Sequence, residues 1–196
     1  MIEVEKKFIL TDEQEKRLLD GAEFLGEKNI TDTYYDDTSY SLTRKDLWLR
    51  KRDASFELKI PMNVSIEERV NDCYRELETD KEIAAYLKLS EKKALAEALT
   101  ENGYAPFVTI VTTRRKYKKD GYNIDLDSAD FGYRIAEIEC MVEAESEIHD
   151  TGQKIIQYAK THGLSGDNAI RGKVAKYLER NNPAHLQALI EAKVVK

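Results

Sequence analysis

Apolar and charged residues alternate along residues 2–10, at the start of the chain. Ile2, Val4 and Phe8 share one side of this pattern, and charged residues stand between them. A period of two residues is typical of a β-strand whose two faces differ in polarity. The pattern therefore predicts a first strand with one apolar face and one charged face.

Segments of similar character recur along the chain and are rich in β-branched and aromatic residues. Strands are predicted over residues 32–35, 47–51, 56–60, 72–78, 107–119, 122–126 and 133–142. Turns are predicted over 36–40 and 53–55 and at Gly121, because these positions carry Asp, Ser and Gly. Residues 61–70 have no clear period and are predicted as a loop.

Helices are predicted where a capping residue precedes apolar residues at helical spacing. Thr11 and Gln14 predict a helix that begins at Asp12 and is ended by Gly21 and Gly26. Further helices are predicted after Thr79, over 91–101 with Ser90 as the cap, and over 153–161, 168–180 and 183–196 with Asn182 as the last cap. About eight strands interrupted and followed by helices predict one α+β domain over residues 1–196, built on a closed or nearly closed antiparallel sheet with a C-terminal helical segment.

Composition narrows the classes of protein that this chain can belong to. Its 196 residues are 41% hydrophobic and 35% charged, which is enough apolar material for a core. No segment approaches the ~18 apolar residues of a membrane span, and the N-terminus lacks a signal-peptide pattern, so a soluble cytoplasmic protein is expected. A net charge of −6 argues against nucleic acid and anionic membranes as partners. No apolar stripe is left over, which favours a monomer.

Several familiar catalytic and binding motifs are absent from the sequence. There is no phosphate-binding G-x-x-x-x-G-K-[ST] loop, no G-x-G-x-x-G fingerprint and no H-E-x-x-H helix. Cys73 and Cys140 match neither a disulfide framework nor a zinc spacing, so both are predicted to be packing residues. His149, His162 and His185 are scattered and are predicted to lie at the surface.

Charged residues spaced by two mark most of the predicted strands, so both members of each pair point to one face. These groups are Glu3, Glu5 and Lys7; Arg50 and Arg52; Glu57 and Lys59; Glu76 and Glu78; Arg114 and Lys116; Asp125 and Asp127; and Glu137 and Glu139. A solvated outer face explains any single pair. The opposite faces, however, are apolar and need the helices as cover. The charged faces would then gather on the other side, where a curled sheet encloses a charged lumen.

A charged lumen of this kind suits a metal-bound polyphosphate. Carboxylates on several strands supply the oxygen ligands that Mg²⁺ or Mn²⁺ prefers, and Ca²⁺ could compete for them in a nonproductive geometry. Arg and Lys on neighbouring strands would grip phosphate oxygens. Phosphoryl transfer needs mainly positioning and positive charge, so no Ser-His-Asp arrangement is required.

Residues 3–7, which read EVEKK, resemble the E-x-E-x-K signature of the CYTH superfamily, the triphosphate tunnel metalloenzymes. Further matching segments follow in order over nearly the whole chain: DTYYD at 32–36, WLRKR at 48–52, FELK at 56–59, REL at 75–77, IDLDSADFGY at 124–133, EIE at 137–139 and KVAKYL at 173–178. The whole set is most similar to the animal thiamine triphosphatase branch. The resemblance implies an eight-stranded antiparallel β-barrel tunnel that hydrolyses the terminal phosphoanhydride of a small-molecule triphosphate with Mg²⁺.

The resemblance also implies roles for particular residues. Asp125 or Asp127, with Glu137 and Glu139, would hold one metal ion, while Glu3 and Glu5 would hold a second or orient the attacking water. Glu76 would be a further carboxylate of the lumen, and Lys7 with Tyr35 would assist proton movement. Phosphate binding falls to Arg50, Arg52, Lys59, Arg114 and Lys173. Glu57, Glu78 and Lys116 are left as solvated or structural residues.

Trp48 bears on the substrate, because its ring could stack on the thiazolium or pyrimidine of thiamine or could simply belong to the core. The Trp-Leu-Arg-x-Arg context resembles the thiamine triphosphatase strand and favours the stacking role. Three alternatives to a thiamine triphosphatase stay open: an inorganic triphosphatase, a class IV-type adenylyl cyclase and a noncatalytic polyphosphate-binding module.

Overall fold

The computed structural model describes residues 1–62, 71–165 and 170–196. Eight strands are present in these ranges: β1 (Ile2–Phe8), β2 (Glu23–Asp36), β3 (Trp48–Arg52), β4 (Ser55–Pro61), β5 (Asp72–Leu77), β6 (Ala105–Lys119), β7 (Tyr122–Ala129) and β8 (Arg134–Val142). The predicted loop over 61–70 falls almost entirely outside the described residues. Only Pro61, the last residue of β4, and Met62 can be placed.

The strands form a closed antiparallel barrel in the order β1-β5-β4-β3-β2-β6-β7-β8, with β8 returning to β1. This confirms the predicted eight-stranded barrel. Closure matters for the site because strands far apart in sequence become neighbours, with β1 placed between β5 and β8. Closure also leaves no open edge on the sheet.

Six helices complete the described part of the chain: α1 (Asp12–Leu19), α2 (Asp80–Leu87), α3 (Leu95–Glu101), α4 (Ile148–Thr161), α5 (Lys173–Asn181) and α6 (Pro183–Glu191). The predicted capping box of α1 is confirmed, since Thr11 and Gln14 bond reciprocally. Thr79 and Asn182 likewise accept backbone N–H bonds at the starts of α2 and α6. None of the described helices has the length and apolar character needed to cross a membrane.

Several predicted boundaries are wrong. The chain leaves α1 at Leu19, and β2 already begins at Glu23, where the sequence predicted the end of a helix. Residues 23–31 are strand because they pair with the long β6, with a register shift between Phe24 and Gly26. This pairing is a long-range contact that local periodicity does not report.

Three other helix starts also differ from the prediction. Ser90 does not cap a helix at 91, because α3 begins at Leu95, where apolar burial begins. In the C-terminal part, α4 begins at Ile148 rather than 153, and α5 begins at Lys173 rather than 168. The predicted start at Asn168 lies outside the described residues.

The apolar faces of the strands point outwards and are covered by helices, as predicted. On one side Val4, Ile124 and Ile138 pack with Ile155 of α4. Two further clusters join Ile110 to α5 and α6, and Leu49 and Leu58 to α2 and α3. Neither Cys73 nor Cys140 forms a disulfide in the described part of the chain, and Cys73 is buried in the first cluster. The charged faces are therefore left for the barrel interior.

The prediction of a surface position is wrong for His185, whose side chain is completely buried (0% exposed). Its ring stacks on Tyr40 with centroids 3.8 Å apart, and its Nε2 lies 2.8 Å from Thr43 Oγ1. The first turn of α6 thus docks through His185 on the short 3-10 turn Thr43–Lys45. His149 is exposed as predicted, and His162 is partly buried.

The buried imidazole predicts a pH-dependent contribution to stability. Burial, opposed by the Asp36 carboxylate, lowers the pKa of His185. The unfolded chain therefore takes up this proton more readily than the folded chain. The resulting stability is complete above about pH 6.5 and is lost as the pH falls below that value towards the lower folded pKa.

We expect the free energy of unfolding to fall more for the wild type than for His185→Phe between about pH 7.5 and about pH 5.5. Phe keeps a ring against Tyr40 but does not titrate. Urea unfolding at both pH values measures the difference, and carboxylates common to both proteins cancel. An equal fall in the two proteins would contradict the prediction.

Candidate active site

Strand register builds the interior of the barrel from pairs of charged residues. Across the β1–β8 pairing Glu5 lies opposite Glu139 and Lys7 opposite Glu137. Across the β6–β7 pairing Arg114 lies opposite Asp127. Side chains directly opposite each other on one face are close enough to interact, so the alternate charges in the sequence become cross-strand neighbours around one space.

This space is a cavity of about 440 Å³. Its walls carry most of the predicted site residues: Glu3, Glu5, Lys7, Trp48, Arg50, Arg52, Lys59, Glu76, Arg114, Glu137, Glu139 and Lys173. Apolar residues Val174, Val194 and Val195 also line it. The predicted charged lumen is thus present, with an apolar part of the wall contributed by the C-terminal segment.

Three carboxylates from two adjacent strands form an acidic cluster in the cavity. Glu3, Glu5 and Glu139 each place one oxygen so that the three atoms lie within 4.8 Å of one another. Burial, with nearby Glu3 and Asp125, raises the pKa of Glu139 to about 8. Burial and neighbouring acids also raise the pKa of Glu5 to about 7, against the opposing charge of Lys7. Carboxylates held this close favour either uptake of a proton or binding of a cation.

Lys59, on β4, connects the acidic cluster to Glu76 on β5, the strand that lies between β4 and β1. Its ammonium bonds to Glu3 and lies 2.9 Å from Glu76. Burial would raise the pKa of Glu3, but the Lys59 charge outweighs burial and brings that pKa to about 2. Glu76 also lies 3.7 Å from Arg50. Glu76, predicted as a metal ligand, therefore sits among cations rather than in the acidic cluster.

Arg114 is the centre of a second group of charges. Its guanidinium lies 2.5 Å from Asp125, 2.6 Å from Asp127 and 2.8 Å from Glu137. Lys173, the first residue of α5, bonds to Asp127 and lies 3.4 Å from Glu137. Although burial opposes it, these two cations hold the pKa of Glu137 well below its usual range.

Asp125 and Asp127 differ in position from the other predicted metal ligands. Both are almost completely covered, with 0% and 2% exposure, and neither lines the cavity. The structure thus divides the predicted first metal group. Glu139 joins Glu3 and Glu5, while Asp125, Asp127 and Glu137 hold Arg114.

Carboxylates also fix the side chains of Arg50 and Arg52. Arg50 lies 2.6 Å from Glu57, and Arg52 makes two parallel bonds to Asp32, at 2.8 and 2.9 Å. Glu57, left as solvated or structural, thus supports a predicted phosphate-binding residue.

Lys7 bonds to Glu5 and lies 2.5 Å from Asp72. Against the effect of burial, these two carboxylates hold the pKa of Lys7 well above its usual range. Lys7 is therefore an ammonium ion in this arrangement, a donor and a positive charge rather than a base.

Tyr35, like Asp125 and Asp127, is a predicted site residue that does not line the cavity. It lies on the outer face of β2 and packs on Phe56 with ring centroids 5.5 Å apart. Its neighbour Tyr34 lines the cavity instead and pairs in register with Arg50. Successive strand residues point to opposite faces. The adjacent residues Tyr34 and Tyr35 therefore lie on opposite faces of β2.

Trp48 begins β3 and lines the cavity while half-buried. Tyr34 packs against it edge to face, with ring centroids 6.4 Å apart and an interplanar angle of 89°. The indole also belongs to the apolar cluster around Val194 and Val195. One wall of the cavity is therefore aromatic and apolar, next to the charged groups.

Sequence reasoning missed several residues of the site. Asp32, Tyr34 and Asp72 were not singled out, although Asp32 and Tyr34 show the same spacing of two that identified the others. Asp72 stands at the start of β5 and gave no such signal. Lys116, left as solvated or structural, lines the cavity and lies 3.5 Å from Glu139.

Comparison with known proteins agrees with this geometry. Residues 1–172 match the CYTH domain. The chain is 32% identical to human thiamine-triphosphatase over 208 aligned positions, which cover 97% of this chain and 90% of the human protein. The corresponding protein of Macaca fascicularis is 31% identical over the same length.

Solved structures share the fold at lower identity. A protein from Pyrococcus horikoshii OT3 aligns with a TM-score of 0.64 and 21% identity, covering 91% of this chain and 99% of that chain. A Hippeastrum protein described as a candidate adenylyl cyclase with a dominant triphosphatase activity aligns with a TM-score of 0.54 and 16% identity, covering 91% and 95%. The domain match, the two relatives and the closed barrel lead to one conclusion: this chain belongs to the CYTH family.

Proposed function

We propose that this protein is a metal-dependent triphosphatase that hydrolyses thiamine triphosphate to thiamine diphosphate and phosphate. The observation that carries this proposal is the division of the cavity into an acidic cluster, a set of fixed cations and an aromatic wall. A metal-bound triphosphate with an organic ring would present its metal ion to the acidic cluster, its phosphates to the cations and its ring to the aromatic wall. The 32% identity to human thiamine-triphosphatase supports the same substrate.

The acidic cluster has the chemistry of a divalent-cation site. Glu3, Glu5 and Glu139 offer only carboxylate oxygens, which suit Mg²⁺, with Mn²⁺ as a substitute. Burial and neighbouring carboxylates raise the pKa values of Glu5 and Glu139, so a bound divalent cation would favour the charged forms of both groups. Bound there, Mg²⁺ would supply a Lewis acid for the phosphate oxygens.

The cations of the cavity would bind the phosphates. Arg50, Arg52 and Arg114 are each held by carboxylates, so their guanidinium groups are oriented before substrate arrives. Lys59 and Lys173 add point charges from opposite sides of the cavity. Fixed positive charge stabilises negative charge that develops on the leaving diphosphate as water attacks the terminal phosphorus.

Lys7 would act as a hydrogen-bond donor. As an ammonium ion between Glu5 and Asp72 it can donate to a phosphate oxygen, and its raised pKa does not favour the neutral amine that could accept a proton from water. Tyr34 is the tyrosine placed to contact substrate, because Tyr35 faces away from the cavity.

The aromatic wall would distinguish thiamine triphosphate from inorganic triphosphate. Trp48 can stack on a cationic thiazolium or on a pyrimidine. Inorganic triphosphate is the second candidate substrate, because the fixed cations and the acidic cluster would bind a metal-bound triphosphate whether or not it carries a ring.

Phosphate release from thiamine triphosphate and from inorganic triphosphate, measured side by side with Mg²⁺, tests the proposal. We expect a higher kcat/KM for the thiamine compound, and inhibition when Ca²⁺ is added. A preference for inorganic triphosphate would change the proposed substrate but leave the proposed metal site and phosphate-binding residues unchanged. Formation of cyclic AMP and pyrophosphate from ATP would overturn hydrolysis itself, and binding without turnover would leave only a polyphosphate-binding module.

Replacing Trp48 by Ala is expected to raise KM for thiamine triphosphate by about tenfold and KM for inorganic triphosphate by much less, since only the former has rings to stack. Steady-state kinetics on both substrates measures this. Phe24→Ala is the control, because Phe24 is 56% exposed and lies away from the cavity. Equal effects of Trp48→Ala on the two substrates would assign Trp48 to the core alone.

A further inference from the structure

Asp46 is a buried carboxylate that the proposed reaction does not use. It follows the 3-10 turn Thr43–Lys45 and takes a left-handed backbone conformation, with φ of 60°. Its N–H donates to the Thr43 carbonyl at 2.9 Å, and the next N–H, of Leu47, donates to the Leu42 carbonyl at 3.1 Å. Asp tolerates this conformation better than most residues, so the backbone at Asp46 is well defined.

The side chain of Asp46 joins two aromatic residues of the cavity. Its Oδ1 accepts a hydrogen bond from Trp48 Nε1 at 2.7 Å and another from the Tyr74 hydroxyl at 3.0 Å. Asp46 and Tyr74 are each only 6% exposed. A bond from an N–H to a buried carboxylate is short and strong, so the edge of the indole is held in one place.

Asp46 stands on the cavity wall, but a phosphate-binding role does not suit it. A carboxylate repels phosphate, and burial of the charge has a cost unless hydrogen bonds compensate it. Two hydrogen bonds that compensate it come from aromatic donors, Trp48 and Tyr74. The Tyr74 ring in turn lies under the ammonium of Lys59, 5.4 Å from its centroid. The carboxylate thus belongs to the aromatic end of the cavity and connects it to the charged end.

We propose that Asp46 is a positioning residue that holds the Trp48 indole in place for the ring of an organic triphosphate, and so sets the preference for such substrates over inorganic triphosphate. This inference rests on the proposed function for the identity of the ring. Tyr34 supports the same indole from another side through its edge-to-face contact. Without the carboxylate, Trp48 would gain rotamer freedom that substrate binding must then remove.

The test compares Asp46→Ala with Asp46→Asn. Asn keeps an oxygen acceptor for both donors and tolerates the left-handed backbone, so it is the conservative rescue. Asp53→Ala is the matched control, because Asp53 is also an aspartate with positive φ, 51°, but does not line the cavity. Trp48→Phe removes the N–H donor with Asp46 unchanged and serves as the second variant if Asp46→Ala does not fold.

The first measurement is the KM for each substrate. Asp46→Ala is expected to raise KM for thiamine triphosphate by about fivefold or more while leaving KM for inorganic triphosphate within about twofold. Asp46→Asn and Asp53→Ala are expected to stay near the wild type. Equal increases for both substrates, or the same effect in Asp53→Ala, would overturn the inference.

The second measurement uses the single tryptophan of the chain, so that emission excited selectively at tryptophan reports on Trp48 alone. Asp46→Ala is expected to shift the emission and lower its anisotropy, and Asp46→Asn to restore both. With EDTA present, thiamine triphosphate should quench this emission in the wild type at lower concentration than inorganic triphosphate does, and this difference should vanish in Asp46→Ala.

These readouts separate the inference from the proposed function. If the wild type fails to hydrolyse thiamine triphosphate, the proposed function fails, while quenching that depends on Asp46 still supports the positioning role. If emission, anisotropy and quenching are the same in the wild type and in Asp46→Ala, the positioning role is wrong even when hydrolysis is confirmed.

Discussion

Replacing Glu5 by Gln is expected to lower kcat/KM with Mg²⁺ by about a hundredfold or more. Glu5 belongs to the three-carboxylate cluster and is only 5% exposed. Solvent therefore does not make up for the negative charge that the substitution removes. The neutral amide is a much weaker ligand for Mg²⁺ than a carboxylate. The substitution also takes from Lys7 one of its two carboxylate partners.

Phosphate release measured over a range of Mg²⁺ concentrations tests this expectation. Glu27→Gln provides the control, since Glu27 is an exposed strand residue on β2 that does not line the cavity. Circular dichroism and urea unfolding establish that Glu5→Gln remains folded. Activity within a few-fold of the wild type at saturating Mg²⁺ would remove Glu5 from the proposed metal site.

Replacing Arg114 by Lys is expected to lower kcat/KM by about a hundredfold, although the positive charge is kept. The guanidinium reaches Asp125, Asp127 and Glu137 at once through three nitrogens. An ammonium is a point charge and cannot make the paired bonds to Asp127, at 2.6 and 2.7 Å. Buried carboxylates left without a full partner would also destabilise the fold by roughly 1–3 kcal/mol.

Arg115→Lys is the matched control because it is the next residue on the same strand. Arg115 points to the opposite face of β6, where it lies 2.7 Å from Glu15 of α1. We expect little loss of activity and a change in stability below about 1 kcal/mol, because this half-buried pair keeps a positive charge beside Glu15. Kinetics and urea unfolding on both variants make the comparison. Similar losses of activity in the two variants would contradict a specific role for Arg114.

The sequence predicted which side chains face the barrel interior where a strand had one clearly apolar face and one clearly charged face. In β1 the apolar residues Val4 and Phe8 identified the outer face and thereby placed Glu3, Glu5 and Lys7 inside. The argument was weaker in β2, where Tyr34 and Tyr35 are adjacent and both aromatic. Only the pairing of β2 with β3 and β6 shows that Tyr34 faces the cavity.

Partners across the barrel were beyond the reach of sequence spacing. Lys59 bonds to Glu3, a residue 56 positions away, because β4 and β1 both flank β5 in the closed sheet. The family resemblance placed Asp125 or Asp127 with Glu137 and Glu139, whereas in the structure Arg114 covers Asp125 and Asp127 and Glu139 meets Glu3 and Glu5. Asp46 lacked any periodic signal, because its position depends on a turn that α6 holds in place through His185.

The sequence by itself determined that strands with one apolar and one charged face would curl around their charges, and its motifs identified the family. This follows from local patterning, since a period of two assigns each side chain to a face. Only the tertiary structure decided which carboxylates share a site, which cations hold them and which tyrosine faces the cavity. The physical reason is that closure of the barrel and strand register set distances between residues far apart in the chain, and those distances control charge, pKa and ligand geometry.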